Sequence, residues 1–175
     1  MPERKVIERA RADKRAGKSP STQAGEFVKD EIDRVRAGKH GVRSAKQAVA
    51  IGLSKARRAG VDLKPPAMGK TSEATRKKAE QDRAKGQGKH KASASTESKS
   101  KRSRTTTAVL KRESREGASS EAMSAQSKSA ASRRPAASRS AAAKKAAQTK
   151  GAAGRSAAAK KAAQTRAARA RQGHH

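Results

Sequence analysis

From Ala122 to His175 the chain carries no Asp and no Glu, but thirteen Lys and Arg. These are Lys128, Arg133, Arg134, Arg139, Lys144, Lys145, Lys150, Arg155, Lys160, Lys161, Arg166, Arg169 and Arg171, and nearly everything between them is Ala, Ser, Thr, Gln or Gly. Such a segment has almost nothing to bury, so collapse cannot offset the entropy of ordering it. Its charges repel one another unless a polyanion neutralises them, and nucleic acid is the abundant polyanion with regularly spaced charge. One twelve-residue unit occurs twice within it. Arg139-Ser-Ala-Ala-Ala-Lys-Lys-Ala-Ala-Gln-Thr-Lys150 is followed, after Gly151-Ala-Ala-Gly154, by Arg155-Ser-Ala-Ala-Ala-Lys-Lys-Ala-Ala-Gln-Thr-Arg166.

The remaining composition narrows the function classes. The formal net charge is +30 over 175 residues, the balance of a polyanion binder rather than of an enzyme. There is no cysteine, which removes disulfides, thiolate zinc sites and thiol nucleophiles. No apolar run reaches the length of a membrane span, and the N-terminus lacks the apolar core of a signal peptide. A cytoplasmic, nucleoid-associated location is expected. The large apolar residues are unevenly placed. Besides Met1, residues 1–66 hold twelve of them, from Val6 to Leu63, and residues 67–175 hold only Met68, Val109, Leu110 and Met123. This places a boundary at Pro65-Pro66. Residues 67–121 then read as a disordered polar linker, in which Ser72–Lys85 has good helix formers and an Arg76–Glu80 pair but nothing large to bury.

Three helical patterns are legible before that boundary, at about 2–16, 20–37 and 44–59. Each ends in Arg-Ala-Gly: Arg15-Ala16-Gly17, Arg36-Ala37-Gly38 and Arg58-Ala59-Gly60. Glycine there can adopt the left-handed conformation that closes a last turn. In the second pattern Ala24, Phe27, Val28, Ile32 and Val35 form one apolar stripe, while the acidic cluster Asp30, Glu31 and Asp33 is expected on a solvent-facing side with Lys29, Arg34 and Arg36. In the third, Ser44 and Gln47 make a capping-box pattern, and Ala45, Ala48, Val49, Gly52, Ala56 and Ala59 line one side. The fold class expected is a mostly disordered chain with a small all-α N-terminal unit and marginal helices in the tail. Lys39, Arg43, Lys55, Arg57 and Arg58 put basic groups at one end of that unit, where they offer phosphate contacts.

Ser19-Pro-Ser-Thr-Gln-Ala-Gly-Glu-Phe-Val28, followed by Gly38 to Gly60, resembles a small bacterial domain of unknown function whose members are short, basic and described as DNA-binding. The resemblance covers about residues 1–65 and implies DNA as partner without a mechanism. Ser140-Ala-Ala-Ala-Lys-Lys-Ala-Ala147 and its copy from Ser156 resemble the C-terminal arms of linker histones and of histone-like bacterial proteins. That likeness is one of composition. It implies neutralisation and compaction of DNA.

No catalytic, metal or cofactor site is legible. Gly17-Lys18-Ser19 and Gly69-Lys70-Thr71 share the end of a phosphate-binding loop, but Ala12 and Lys64 stand where its first glycine belongs. His40 sits in a Gly-flanked turn, His90 in low-complexity sequence, and His174 and His175 end the chain. The function expected is sequence-independent DNA binding, with Arg133, Arg134, Arg139, Lys144, Lys145, Lys150, Arg155, Lys160, Lys161, Arg166, Arg169 and Arg171 as the main phosphate contacts. Two alternatives remain at this stage. One is an RNA- or ribosome-associated basic protein. The other is an adaptor whose Phe27/Ile32/Val35 stripe binds a protein partner.

Overall fold

The computed structural model describes residues 4–89 and 99–172, and among these the chain is all-α. The elements in order are α1 (Arg4–Arg15), α2 (Pro20–Arg36), α3 (Ala45–Arg58), α4 (Glu73–Gly86), α5 (Lys99–Arg112), a 3-10 turn (Glu116–Ala118), α6 (Ser120–Ser132) and α7 (Ala136–Gln172). They fall into two compact units, residues 1–126 and 127–175. The three N-terminal helices form where the sequence pattern puts them, although Pro2 lies outside the described residues. The expectation of a mostly disordered chain is wrong, because helices fill most of the stretch after residue 66 as well.

In the first unit the Arg-Ala-Gly endings close three helices in one way. Gly17, Gly38 and Gly60 have φ of 70°, 73° and 90°. The amide after each glycine reaches back to the helix, Lys18 to the Asp13 carbonyl at 2.9 Å, Lys39 to Arg34 at 3.0 Å and Val61 to Ala56 at 3.1 Å. Ser19, Ser44 and Ser72 cap the opposite ends of α2, α3 and α4 with their side-chain oxygens. Gln47 completes the box at α3, accepting from the amide of Arg43 rather than of Ser44.

Two small clusters make the core. Val6 and Ala10 of α1 meet Ala24 and Phe27 of α2, Ala56 of α3, and Val61. Val35, Val42 and Ala48 meet Ala118 of the 3-10 turn. That last contact shows why the boundary at Pro65-Pro66 lies inside the unit. Residues 110–118 fold back on the α2–α3 connection. The Gly41 amide donates to the Leu110 carbonyl at 2.9 Å, Val42 to Ser114 at 2.8 Å, and the Arg36 side chain to Ala118 at 2.8 Å. Helix α4 packs on α3 and buries Ala79 and Asp82. The segment has few large apolar residues because it packs by close backbone approach. A Cβ on Gly86 would stand 1.9 Å from the Arg57 carbonyl oxygen, and one on Gly41 1.8 Å from that of Glu113.

In the second unit α7 runs for 37 residues, with one non-helical residue, Gly151 (φ 65°, ψ 175°). It therefore consists of two helical stretches, each holding one copy of the duplicated unit. Alanine has the best helix propensity, and length lifts such helices above the nucleation threshold. The charges cooperate in this. Residues 139, 144, 145 and 150 differ by one, five, six and eleven, so no two cations fall three or four apart where they would repel across a turn. The same holds at 155, 160, 161 and 166. Among the described residues no helix is long and apolar enough to cross a membrane.

Helices α2 and α3 touch at Gly52, where a Cβ would lie 2.6 Å from the Val28 Cα, whereas Gly25 on α2 faces open space. Gly52→Ala is expected to destabilise the protein by about 1–3 kcal/mol. Gly25→Ala is expected to stabilise it by about 0.5–1 kcal/mol. Urea unfolding of the two variants checks both signs.

Candidate nucleic-acid interface

The five basic residues expected at one end of the helical unit have different environments. Arg57 is not available to a ligand, being 7% exposed. Its guanidinium donates to the carbonyls of Leu63 at 3.3 Å and Lys64 at 3.4 Å, pinning the chain that leaves α3. Burial lowers its pKa, and the charge of Asp82 opposes the change. Arg43 is on the surface and pairs with Glu113 at 3.2 Å. Lys55 is ion-paired with Glu31. Arg58 donates to the Ser54 carbonyl and lies 3.7 Å from Asp82. Lys39 is exposed just past the end of α2.

The carboxylates behind these cations were not legible as such. Glu31 belongs to the acidic cluster expected to face solvent, yet it is fully buried. One of its oxygens meets Lys55 of α3, and the other lies 3.3 Å from His40 Nε2. The other ring nitrogen of His40 lies 3.0 Å from the Gly41 carbonyl, so this histidine is held in place by its neighbours. Asp82 of α4 is 1% exposed. It accepts a hydrogen bond from Ser54 and lies near Lys78, at 3.6 Å, and Arg58. Each buried carboxylate thus fixes cations belonging to helix α3 or α4.

These cations line one cleft of about 960 Å³. Its wall carries Arg34 and Lys39 from the end of α2, Lys55 and Arg58 from α3, Lys78 and Lys85 from α4, and Arg102 from α5. Seven basic side chains and one acid, Glu31, line it, with Asp82 behind Arg58 and Lys78 and Asp30 at 3.8 Å from Arg34. Sequence reading found Lys39, Lys55 and Arg58 but missed the other four. Arg34 was read as a solvated helix face, and the segments carrying Lys78, Lys85 and Arg102 were read as linker.

In the second unit Lys128, Arg133, Arg134, Arg139, Lys144, Lys145, Lys150, Arg155, Lys160, Lys161 and Arg166 are all exposed. The side chains of Arg169 and Arg171 lie outside the described residues. At about 3.6 residues per turn, Lys144 and Lys145 point roughly 140° and 240° around the axis from Arg139, and Lys150 points back beside it. Cations therefore project in three directions, with alanine between them. Two arginines also have a structural task. Arg139 Nη1 donates to the carbonyl of Ser132, the last residue of α6, at 3.3 Å, and Arg155 Nη1 donates to the Ala147 carbonyl at 2.7 Å, just before the Gly151 break. The first residue of each duplicated unit thus seals the carbonyl end of the helix before it.

The other candidates do not form sites. Among the described residues no group of three or more His, Asp or Glu is placed to hold a metal. His90, His174 and His175 lie outside the described residues. Gly17 belongs to the closing turn of α1 and Gly69 to a turn with φ 75°. In the stripe offered to a protein partner, Phe27 and Val35 are 1% and 0% exposed. That apolar stripe is core, and does not form a docking surface.

Residues 11–66 match the model of a family of unknown function (DUF6496). The match supports the resemblance to a domain of unknown function. It begins within α1 and ends before α4, so α4 to α7 lie beyond it. No curated protein and no solved structure matches the chain.

The Lys55–Glu31 pair has one end fully buried and the other about one-sixth exposed. Lys55→Met leaves that carboxylate buried with only His40 beside it, and is expected to cost about 3 kcal/mol. The shift of the urea midpoint at unchanged slope measures the loss.

Proposed function

We propose that this is a nucleoid-associated, sequence-independent DNA-binding protein, histone-like in its use of an acid-free cationic arm. The observation that carries the reading is the form of α7, an alanine-rich helix with cations in three directions and no acid among them. A membrane surface is one-sided and is met by helices with an apolar face, which this helix lacks. The DNA major groove has phosphates on both flanks. It is about 12 Å wide, enough to admit a helix, and a helix with alanine sides is a slender one. Side chains projecting to either side then meet both strands. The break at Gly151 divides the helix into stretches of about 22 and 31 Å, each within one turn of the groove, so the arm can change direction as the groove curves away.

The RNA alternative draws less support from the same feature. The major groove of an A-form helix is deep and too narrow to read. Single strands are gripped by stacking on aromatic rings, and the one aromatic residue, Phe27, is in the core. Contacts made by α7 go to backbone phosphates, so they tolerate any base sequence and carry the salt dependence of counterion release.

If half of the thirteen arm cations meet phosphate, log K against log salt slopes by about −5 to −6 on duplex DNA. Replacing Lys144, Lys145, Lys160 and Lys161 with alanine preserves the helix while removing four charges. The slope should then become shallower by about 2–4, with helicity by circular dichroism unchanged or higher. An unchanged slope, or equal affinity for double-stranded RNA, would overturn the reading.

A further inference from the structure

The cleft of the first unit has features that α7 lacks. Its cations are held rather than merely tethered. Lys55 is braced by Glu31, and Lys78 and Arg58 stand against Asp82, while Lys39, Lys85 and Arg102 extend the positive wall outward. Seven cations stand against three nearby carboxylates, Glu31, Asp82 and Asp30, so the cleft keeps a net positive charge. Lys55 and Arg34 are partly withdrawn from water, where a charge acts more strongly on an anion.

The size and chemistry of the cleft restrict its ligand. At about 960 Å³ it is far larger than one phosphate group. Its lining holds no Phe, Tyr or Trp, and its one ring, His40, is held against Glu31 and the Gly41 carbonyl, so it offers a nucleobase no open stacking platform. Threonine and serine hydroxyls from α5, at Ser103, Thr106 and Thr107, add polar groups along one side. A ligand that can meet several separated cations along one wall without needing a base platform is a linear run of phosphates. We propose that this cleft is a second anion site, built for a chain of phosphates, either the backbone of a single nucleic-acid strand or inorganic polyphosphate. The inference goes beyond the role given to α7 and does not depend on it.

Lysine footprinting on the full-length protein tests it. The protein is mixed with oligothymidylate in one arm and inorganic polyphosphate in the other, at equal phosphate concentration, then briefly acetylated, and each lysine's reactivity is read by mass spectrometry. Lys39, Lys78 and Lys85 are expected to lose most of their reactivity in at least one arm, while Lys5 and Lys70, outside the cleft, keep theirs. The arm that protects identifies the source of the phosphate chain. Arg102→Ala, an exposed substitution outside the core, should weaken protection at Lys85. Unchanged reactivity of the three cleft lysines in both arms overturns the proposal, even if the lysines of α7 are protected. Protection of the cleft lysines alone upholds it and instead counts against α7 as the main contact.

Discussion

A single buried carboxylate carries much of the first unit. Glu31 has no access to water, and a lone charge there would be prohibitively costly. It is tolerable only because Lys55 comes across from α3 and His40 from the connection between α2 and α3. The pairing fixes how α2 lies on α3, and Gly52 lets the two backbones come close enough for it. It also decides where positive charge is exposed, since a cation held from behind by a carboxylate cannot fold away from the surface. Asp82 repeats the arrangement between α4 and α3 through Ser54, with Lys78 and Arg58 beside it. A chain of charge +30 has few acids, and the first unit places two of them in its interior. Their effect is to organise its cations, beyond merely cancelling them.

The helices at 20–37 and 44–59 were legible because they obey rules that leave marks in the sequence: an apolar residue every three or four, a serine at the start, a glycine in the left-handed conformation at the end. The ordered segment after residue 66 was not legible, because it is held by different means. Gly86 against Arg57 and Gly41 against Glu113 are contacts between backbones, and a missing side chain leaves no hydrophobic signal. Ala79 and Ala118 are buried, but alanine is equally common on surfaces. Glu31 could not be separated from Asp30 and Asp33 by residue type. Only its position on the helix, on the side that meets Lys55, distinguishes it. The cleft was missed for the same reason, since four of its cations lie on residues assigned to a solvated face or a linker.

The arm shows the opposite case. Its charges and its duplication are plain in the sequence, but its helicity is not, because a run of cations without acids suggests repulsion along the whole segment. On a helix, neighbours in sequence point about 100° apart, and the pairs that repel are those three or four apart. The unit avoids those spacings. The two units of the protein thus handle positive charge by different means. One sets it against buried carboxylates, and the other disperses it around an axis where no partner is needed for the helix to persist.

The closing arginine has a consequence for how such an arm can grow. Arg139 and Arg155 each belong to the unit that follows, yet each completes the helix that precedes. A further copy spliced between them would bring the seal for its predecessor and receive its own from its successor. No core would need repacking, because nothing in this segment is buried. The reach of the arm is therefore set by how many times the module is repeated, independently of the folded head, in the manner of beads added to a string.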